Sequence, residues 1–113
     1  MFQSNSVNDR LILTYILMLF STGILADSKS KQLYIENCMV CHGEDGGGAM
    51  PGLSDLTESR TWINMPANDL LLSIKKGITK TGNPISMPPN GGNKNLTDTE
   101  LLKIIGYMRN KFN

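Results

Sequence analysis

The clearest hydrophobic pattern in the chain lies near its C-terminus and has the spacing of a helix. Apolar residues recur there at intervals of one helical turn: Leu101, Ile104, Ile105, Met108 and Phe112. Residues 97–100 read Thr-Asp-Thr-Glu, a capping box that predicts the start of this helix. Gly106 lies inside it, where glycine costs about 1 kcal/mol relative to alanine. We therefore expect Gly106 to allow a close crossing of the first helix.

Two further helices are predicted upstream. The first runs from about Ser28 to the cysteines and turns Leu33 and Tyr34 inward. The second begins near residues 67–68, where Asn68 is a candidate cap, and stops at Gly77. The connecting segments are rich in Gly, Pro and Asn, and no segment has a convincing strand pattern. The pattern predicts an all-α domain of three main helices.

The N-terminal part of the chain has the layout of a secretory signal peptide. A polar start containing Arg10 precedes an apolar run, LILTYILMLF, and small residues follow it. An uncleaved anchor is the alternative, but the apolar stretch to Ala26 is shorter than the roughly 18 to 20 residues of a spanning helix. We assign residues 1–26 to a signal peptide or short membrane anchor and residues 27–113 to one domain.

The cleavage point has two candidates. Cleavage after Gly23 fits the small residues Ser21 and Gly23, whereas cleavage after Ala26 leaves Ile24 as a poorer match. We favour Ala26. In either case we expect an exported protein.

Charge excludes some functions and suggests a polar surface. From residue 27 onward, ten lysines and arginines are set against nine aspartates and glutamates, which does not indicate nucleic-acid binding. The signs are unevenly spread, with three cations and seven anions in residues 27–69 and seven cations and two anions in residues 70–113. This asymmetry predicts a dipolar molecule that orients on a charged partner, although an ordinary solvated surface would also explain it.

One short motif carries the candidate chemistry. Cys38 and Cys41, followed by His42, spell CxxCH. Two thiols at this spacing can form thioethers to the vinyl groups of a haem while the adjacent imidazole binds iron. A domain this small often relies on a disulfide, a metal or another internal staple, and the two cysteines are interpreted with that need in mind.

Three other readings compete for these residues. A thioredoxin-like dithiol usually accompanies a βαβ pattern, which is missing here. A zinc site would need further ligands such as Glu44 or Asp45, because His42 is the only histidine in the chain. A structural disulfide between Cys38 and Cys41 is the third reading.

From Tyr34 to Arg109 the chain resembles the class I mono-haem c-type cytochromes of bacteria. The resemblance rests on YIENCMVCHGEDGGG at one end and ISMPPNGGNKNLTDTELLKIIGYMR at the other. It implies a small cytochrome c fold of three main helices wrapped around one covalent haem c. It places the CxxCH helix on the proximal side of the haem and a methionine loop on the distal side.

The second axial ligand should be a thioether, since no second histidine is available. Met87 precedes Pro88 and Pro89, which stiffen the loop and can aim the sulfur. Met65, which also precedes a proline, is the reserve candidate.

A supporting shell is expected around the haem. The resemblance makes the carbonyl of Pro51 the acceptor for the second ring N–H of His42, although Pro51 could simply form a turn. Arg60 and Trp62 could donate to haem propionates, or instead face solvent and core respectively. The apolar wall is predicted to consist of Leu53, Leu56, Ile74, Ile78, Ile85 and Leu96.

The predicted function is electron transfer without transformation of a substrate. We expect a periplasmic single-electron carrier of a respiratory chain, or a dedicated donor to an exported reductase or dehydrogenase. Redox proteins such as a terminal oxidase or a quinol-cytochrome c reductase would be its partners. The resemblance places four lysines in segments near the methionine side, which makes them candidate docking charges: Lys75, Lys76, Lys80 and Lys94. Without haem, a thiol-disulfide oxidoreductase is the alternative, and an open or labile sixth position would permit gas binding or peroxide turnover.

Overall fold

The computed structural model describes Ile12, Tyr15 and residues 26–113. Most of the predicted signal peptide, including both candidate cleavage points except Ala26 itself, lies outside the described residues. Within the described part, no helix has both the length and the apolar character needed to cross a membrane.

The described residues form an all-α fold, as predicted. Its elements, in chain order, are α1 (residues 26–37), α2 (Met39–His42), α3 (Thr61–Asn64), α4 (Ala67–Lys76), a 3-10 turn (Pro89–Gly92) and α5 (Asp98–Lys111). The three predicted main helices are all present. The first corresponds to α1 together with α2, the second to α4 and the third to α5. The only strand-like pairing in this part is one antiparallel bridge between Ile78 and Met87.

Helix α5 begins with the predicted capping box. The Thr97 side chain accepts a hydrogen bond from the Glu100 N–H at 3.2 Å, and the Glu100 carboxylate accepts one from the Thr97 N–H at 3.0 Å. Two of the helix's otherwise unpaired N–H groups are satisfied in this way. The predicted inner residues of α5 are all buried.

The expectation for Gly106 is wrong. This residue is exposed, and apart from its chain neighbours and the backbone of its own helix, a Cβ built on it would meet nothing within 4 Å among the described residues. Helix α1 instead meets α5 through aromatic rings, with the Tyr34 centroid 5.3 Å from that of Tyr107 and 5.5 Å from that of Phe112. Large rings therefore separate the two helices where we had expected backbones to approach closely.

Helix α4 ends as predicted but starts differently. Gly77 follows its last residue with φ +85°, and its N–H donates to the Ile74 carbonyl at 3.2 Å. At the start, Pro66 occupies the N-cap position and no side chain caps the helix. Asn68 already lies inside the first turn, so it cannot act as the cap.

Helices α4 and α5 run antiparallel and are joined near both ends. Lys75, near the end of α4, forms an ion pair at 2.7 Å with Asp98 at the start of α5. Near the other end of α5, the Arg109 guanidinium donates to the carbonyls of Trp62, at 3.3 Å, and of Met65. The core between the helices consists mainly of apolar residues of α1, α4 and α5.

Candidate cofactor site

A cavity of about 450 Å³ lies between the CxxCH segment, α4, α5 and the loops at residues 52–56 and 78–91. This volume is within the range of pockets that hold small molecules and cofactors. Its walls are mostly apolar and include Leu70, Ile74, Leu101 and Ile104. The cavity therefore offers a mostly apolar site.

The CxxCH residues share one wall of this cavity because they form a single helical turn. The Cys38 N–H continues α1 by donating to the Tyr34 carbonyl at 2.8 Å. The N–H groups of Cys41 and His42 both donate to the Cys38 carbonyl, at 3.2 and 3.0 Å. All three side chains line the cavity. Both thiols are free, Cys38 half-buried and Cys41 exposed.

The state of Cys38 argues against thiol redox chemistry. Burial, together with the nearby Cys41, raises the pKa of the Cys38 thiol to about 11. Reactive cysteines of oxidoreductases have lowered pKa values, because the thiolate is the nucleophile. For the zinc reading, no group of three or more His, Cys, Asp or Glu side chains in the described residues could hold a metal ion.

The imidazole of His42 is half-buried on the cavity wall. Burial lowers its pKa, and the backbone of Ser54 partly opposes that effect. Neutral imidazole is the form that binds metals. The Nδ1 atom of His42 is buried without a hydrogen-bond partner, which is costly for a polar atom.

The predicted hydrogen bond from His42 to the Pro51 carbonyl is not formed at this Nδ1. Pro51 is exposed, and its neighbours Gly52, Leu53 and Ser54 form the cavity wall beside His42. The role of Pro51 stays a prediction from the resemblance.

Met87 enters the cavity from a short hairpin. Ile78 and Met87 exchange two backbone hydrogen bonds, each 2.9 Å long, and the intervening residues fold back through a turn at Gly82. Pro88 and Pro89 follow at once. We call residues 78–87 the methionine hairpin. Both of its ends are thus restrained, and the Met87 side chain is half-buried in the cavity wall.

Gly77 allows the hairpin to lie close to the end of α4. A Cβ at Gly77 would stand 2.9 Å from the Met87 carbonyl oxygen and 3.1 Å from Pro89. The residue also has φ +85°, which other residues rarely adopt. Glycine is therefore required twice over at this point.

The other methionines among the described residues divide into two groups. Met65 and Met108 also line the cavity, whereas Met39 packs against the core outside it. Met50 is 58% exposed and lies outside the cavity wall. By position alone, three methionines of the described part of the chain, Met65, Met87 and Met108, remain available to bind a metal or cofactor in the cavity.

The predicted shell residues lie in different environments. Trp62 is buried and lines the cavity, but its indole N–H donates to the Leu56 carbonyl at 2.9 Å. Arg60 is exposed, lies outside the cavity wall and donates to the Asn113 side chain at 3.1 Å. Trp62 therefore lies in the core and Arg60 faces solvent, which are the alternatives given in the sequence analysis. Contacts of either residue with a haem propionate stay predictions.

Five of the six predicted wall residues line the cavity: Leu53, Leu56, Ile74, Ile78 and Ile85. Leu96 is buried elsewhere in the core. Two cavity features were not predicted. Asn90, just after the prolines, has φ +55° and a buried, unpartnered Oδ1, and Arg109 fixes the α3–α4 junction beside the cavity. The asparagine after Pro-Pro was a visible turn signal, whereas nothing local marked Arg109.

The comparison with known families decides the class of protein. A family model described as cytochrome c matches residues 28–111. The chain belongs to the cytochrome c family. Cytochromes c carry covalently bound haem c and transfer electrons, and Cys38 and Cys41 stand at the spacing of a CxxCH attachment motif. No curated protein and no solved structure matches the chain at the significance threshold.

Three observations fit a haem in this cytochrome c domain. The cavity is large and mostly apolar, both cysteines lie on its wall, and an imidazole with a buried, unpaired nitrogen stands beside them. The residues around the cavity therefore fit the covalently bound haem that the cytochrome c family carries.

Proposed function

We propose that this cytochrome c domain is an exported, periplasmic mono-haem electron carrier of bacterial type that serves redox partners of a respiratory chain. The observation that carries the proposal is one cavity lined by both cysteines, His42 and a methionine held in a hairpin. The haem, when bound, supplies a one-electron ferric–ferrous couple. The chain supplies attachment, ligation and burial.

The residues divide the work as follows. Cys38 and Cys41 would form the two thioethers, His42 would be the proximal ligand and Met87 the distal one. Met87 is preferred over Met65 and Met108 because its backbone is fixed at both ends by hydrogen bonds and prolines. Ligands that hardly move between oxidation states keep the reorganisation of the site small.

The apolar wall of the cavity would raise the reduction potential of the ferric–ferrous couple. Burial and methionine ligation both favour a raised reduction potential. Ile74, Ile78 and Leu101 are among the apolar residues of the cavity wall. The proposal therefore includes a potential well above that of a solvent-exposed or bis-histidine haem.

Docking would use weak, charge-steered contacts, because redox encounters have small interfaces. Lys76, Lys80 and Lys94 are exposed, and Lys80 also lines the cavity while donating to the Ser54 hydroxyl at 3.3 Å. Lys75 is paired with Asp98 and is the least available of the predicted docking lysines. A partner with an acidic surface, such as an oxidase, a quinol-cytochrome c reductase or an exported reductase, would suit this set.

Voltammetry of the haem-loaded protein tests the function. The proposal requires a reversible wave with one electron per haem and fast exchange with small redox proteins. Slow, irreversible electron exchange, accompanied by rapid peroxide turnover or tight carbon monoxide binding in the native state, would contradict it. The matched control is the same protein heated until the methionine hairpin is released, which should gain peroxidase activity.

A further inference from the structure

We propose that Asn83 is a positioning residue that ties the tip of the methionine hairpin to the loop beside His42, and thereby limits how readily another ligand displaces Met87. The inference rests on the proposed function, since it takes Met87 as the distal ligand. It concerns a residue for which neither the motif nor the family match provides a role.

Asn83 uses both ends of its side chain. Its Nδ2 donates to the Gly52 carbonyl at 2.9 Å, across a separation of 31 residues. Its Oδ1 accepts from the Ile85 N–H at 2.9 Å within the hairpin, and its own N–H closes the tip turn on the Lys80 carbonyl at 3.1 Å. One side chain thus shapes the hairpin and also fastens it to a distant segment.

The segment that receives this bond is part of the wall beside His42. Gly52 and Ser54 both line the cavity together with His42. Two further contacts support the junction. The Lys80 ammonium donates to the Ser54 hydroxyl at 3.3 Å, and a Cβ on Gly52 would touch Ile85 at 3.5 Å. The proximal and distal sides of the cavity therefore meet at Asn83.

The rest of the hairpin has few restraints. Its base is held by the two Ile78–Met87 hydrogen bonds, but the tip residues Thr81, Gly82 and Pro84 are exposed. If the bond to Gly52 is lost, the tip can swing away from the cavity mouth and loosen the base that positions Met87. For a ligand that binds only the open form, the apparent dissociation constant equals the intrinsic dissociation constant divided by the fraction of molecules in that form. Weakening the tie should therefore tighten binding of a competing ligand.

Imidazole binding to the ferric, haem-loaded protein measures this population. Asn83→Ala removes both side-chain bonds, whereas Asn83→Asp keeps the acceptor for Ile85 and loses the donor to Gly52. Asn95→Ala is the control, because Asn95 is an exposed loop asparagine whose backbone N–H, rather than its side chain, makes the hydrogen bond. We expect both Asn83 variants to bind imidazole about two- to tenfold more tightly than wild type, as loss of one hydrogen bond implies. The control should match wild type.

Several results would overturn the inference. Unchanged imidazole affinity in both Asn83 variants would show that the tie does not restrain Met87. A shift in Asn83→Ala alone would assign the effect to the Ile85 bond, and an equal shift in Asn95→Ala to general loosening of loops. The Asp variant keeps the hairpin's internal bond and so serves if the Ala variant does not fold. Failure of the proposed function looks different, since wild type itself would then lack covalent haem or an iron–thioether absorption band.

Discussion

Met87 is held by its backbone rather than by polar contacts of its side chain. The antiparallel bridge to Ile78 fixes its φ and ψ, and Pro88 restricts it from the other side. Met65 and Met108 lie in the same cavity, but Met108 belongs to the packed face of α5. The backbone restraints from Ile78 and Pro88 therefore distinguish Met87, the proposed ligand, from methionines that only fill space in the core.

Replacing Met87 should change the iron site, whereas replacing Met65 should not. In Met87→Ala we expect loss of the iron–thioether absorption band and a reduction potential lower by on the order of 100 mV, because thioether ligation favours the ferrous state. Met65→Ala should retain the band. Optical titration of both variants checks this, and the reverse outcome would transfer the ligand role to Met65.

Gly77 and Gly106 form a matched pair for stability. Gly77→Ala should destabilise the protein by about 2 kcal/mol or more, because its Cβ would collide with Met87 and Pro89 and φ +85° strains an L residue. Gly106→Ala should instead stabilise it by up to about 1 kcal/mol, since the position is helical and open. Thermal unfolding of the haem-loaded proteins measures both. Similar shifts in the two variants would refute the close approach at Gly77.

At the scale of elements, helix ends do much of the positioning. The capping box starts α5, Gly77 stops α4, and the Arg109 guanidinium binds carbonyls at the end of α3. Each device satisfies backbone groups that a helix end leaves unpaired. The walls of the cavity are therefore fixed where helices begin and end.

The capping box predicts an acid dependence of stability. The Thr97 N–H and hydroxyl hold the pKa of Glu100 below its ordinary 4.5. A lowered folded-state pKa means that this contribution is present above about pH 4.5 and is lost as pH falls through the folded value. Glu100→Gln keeps an acceptor but does not titrate there. Denaturant unfolding from pH 7 to 3 should show wild type losing its advantage over the variant, and parallel curves would contradict the expectation.

Local pattern predicted the elements whose causes are local. The spacing in α5, its capping box, Gly77 and the CxxCH turn all depend on residues within a few positions of one another. Features that depend on distant residues were missed or wrong. Gly106 faces open space because aromatic rings set the α1–α5 contact. The tie from Asn83 to Gly52 spans 31 residues and has no sequence signature.

At the scale of the whole molecule, charge is divided along the chain, with cations concentrated from residue 70 onward. Lys80 stands at the cavity wall, whereas Lys31 lies on α1 outside it. Electrostatic steering between such a surface and an acidic partner raises association rates and weakens with salt. The molecule as a whole would then present its cavity to the partner.

Neutralising the exposed docking lysines should slow electron transfer to an acidic redox partner. We expect Lys76→Gln, Lys80→Gln and Lys94→Gln together to lower the second-order rate by about tenfold at low salt and to flatten its salt dependence. Lys31→Gln should have little effect. Stopped-flow kinetics at several ionic strengths decides the matter, and an unchanged salt dependence in the triple variant would locate docking elsewhere.

The most direct test of the central claim is the form of the haem in the purified protein. The full chain, made in an exporting host with cytochrome c maturation, would be examined by oxidised and reduced absorption spectra and by haem staining of a denaturing gel. The account predicts haem that stays with the polypeptide after denaturation, a low-spin spectrum with an iron–thioether band, and loss of covalent attachment when both Cys38 and Cys41 are changed to Ser. A colourless protein, or haem that leaves on denaturation, would contradict it.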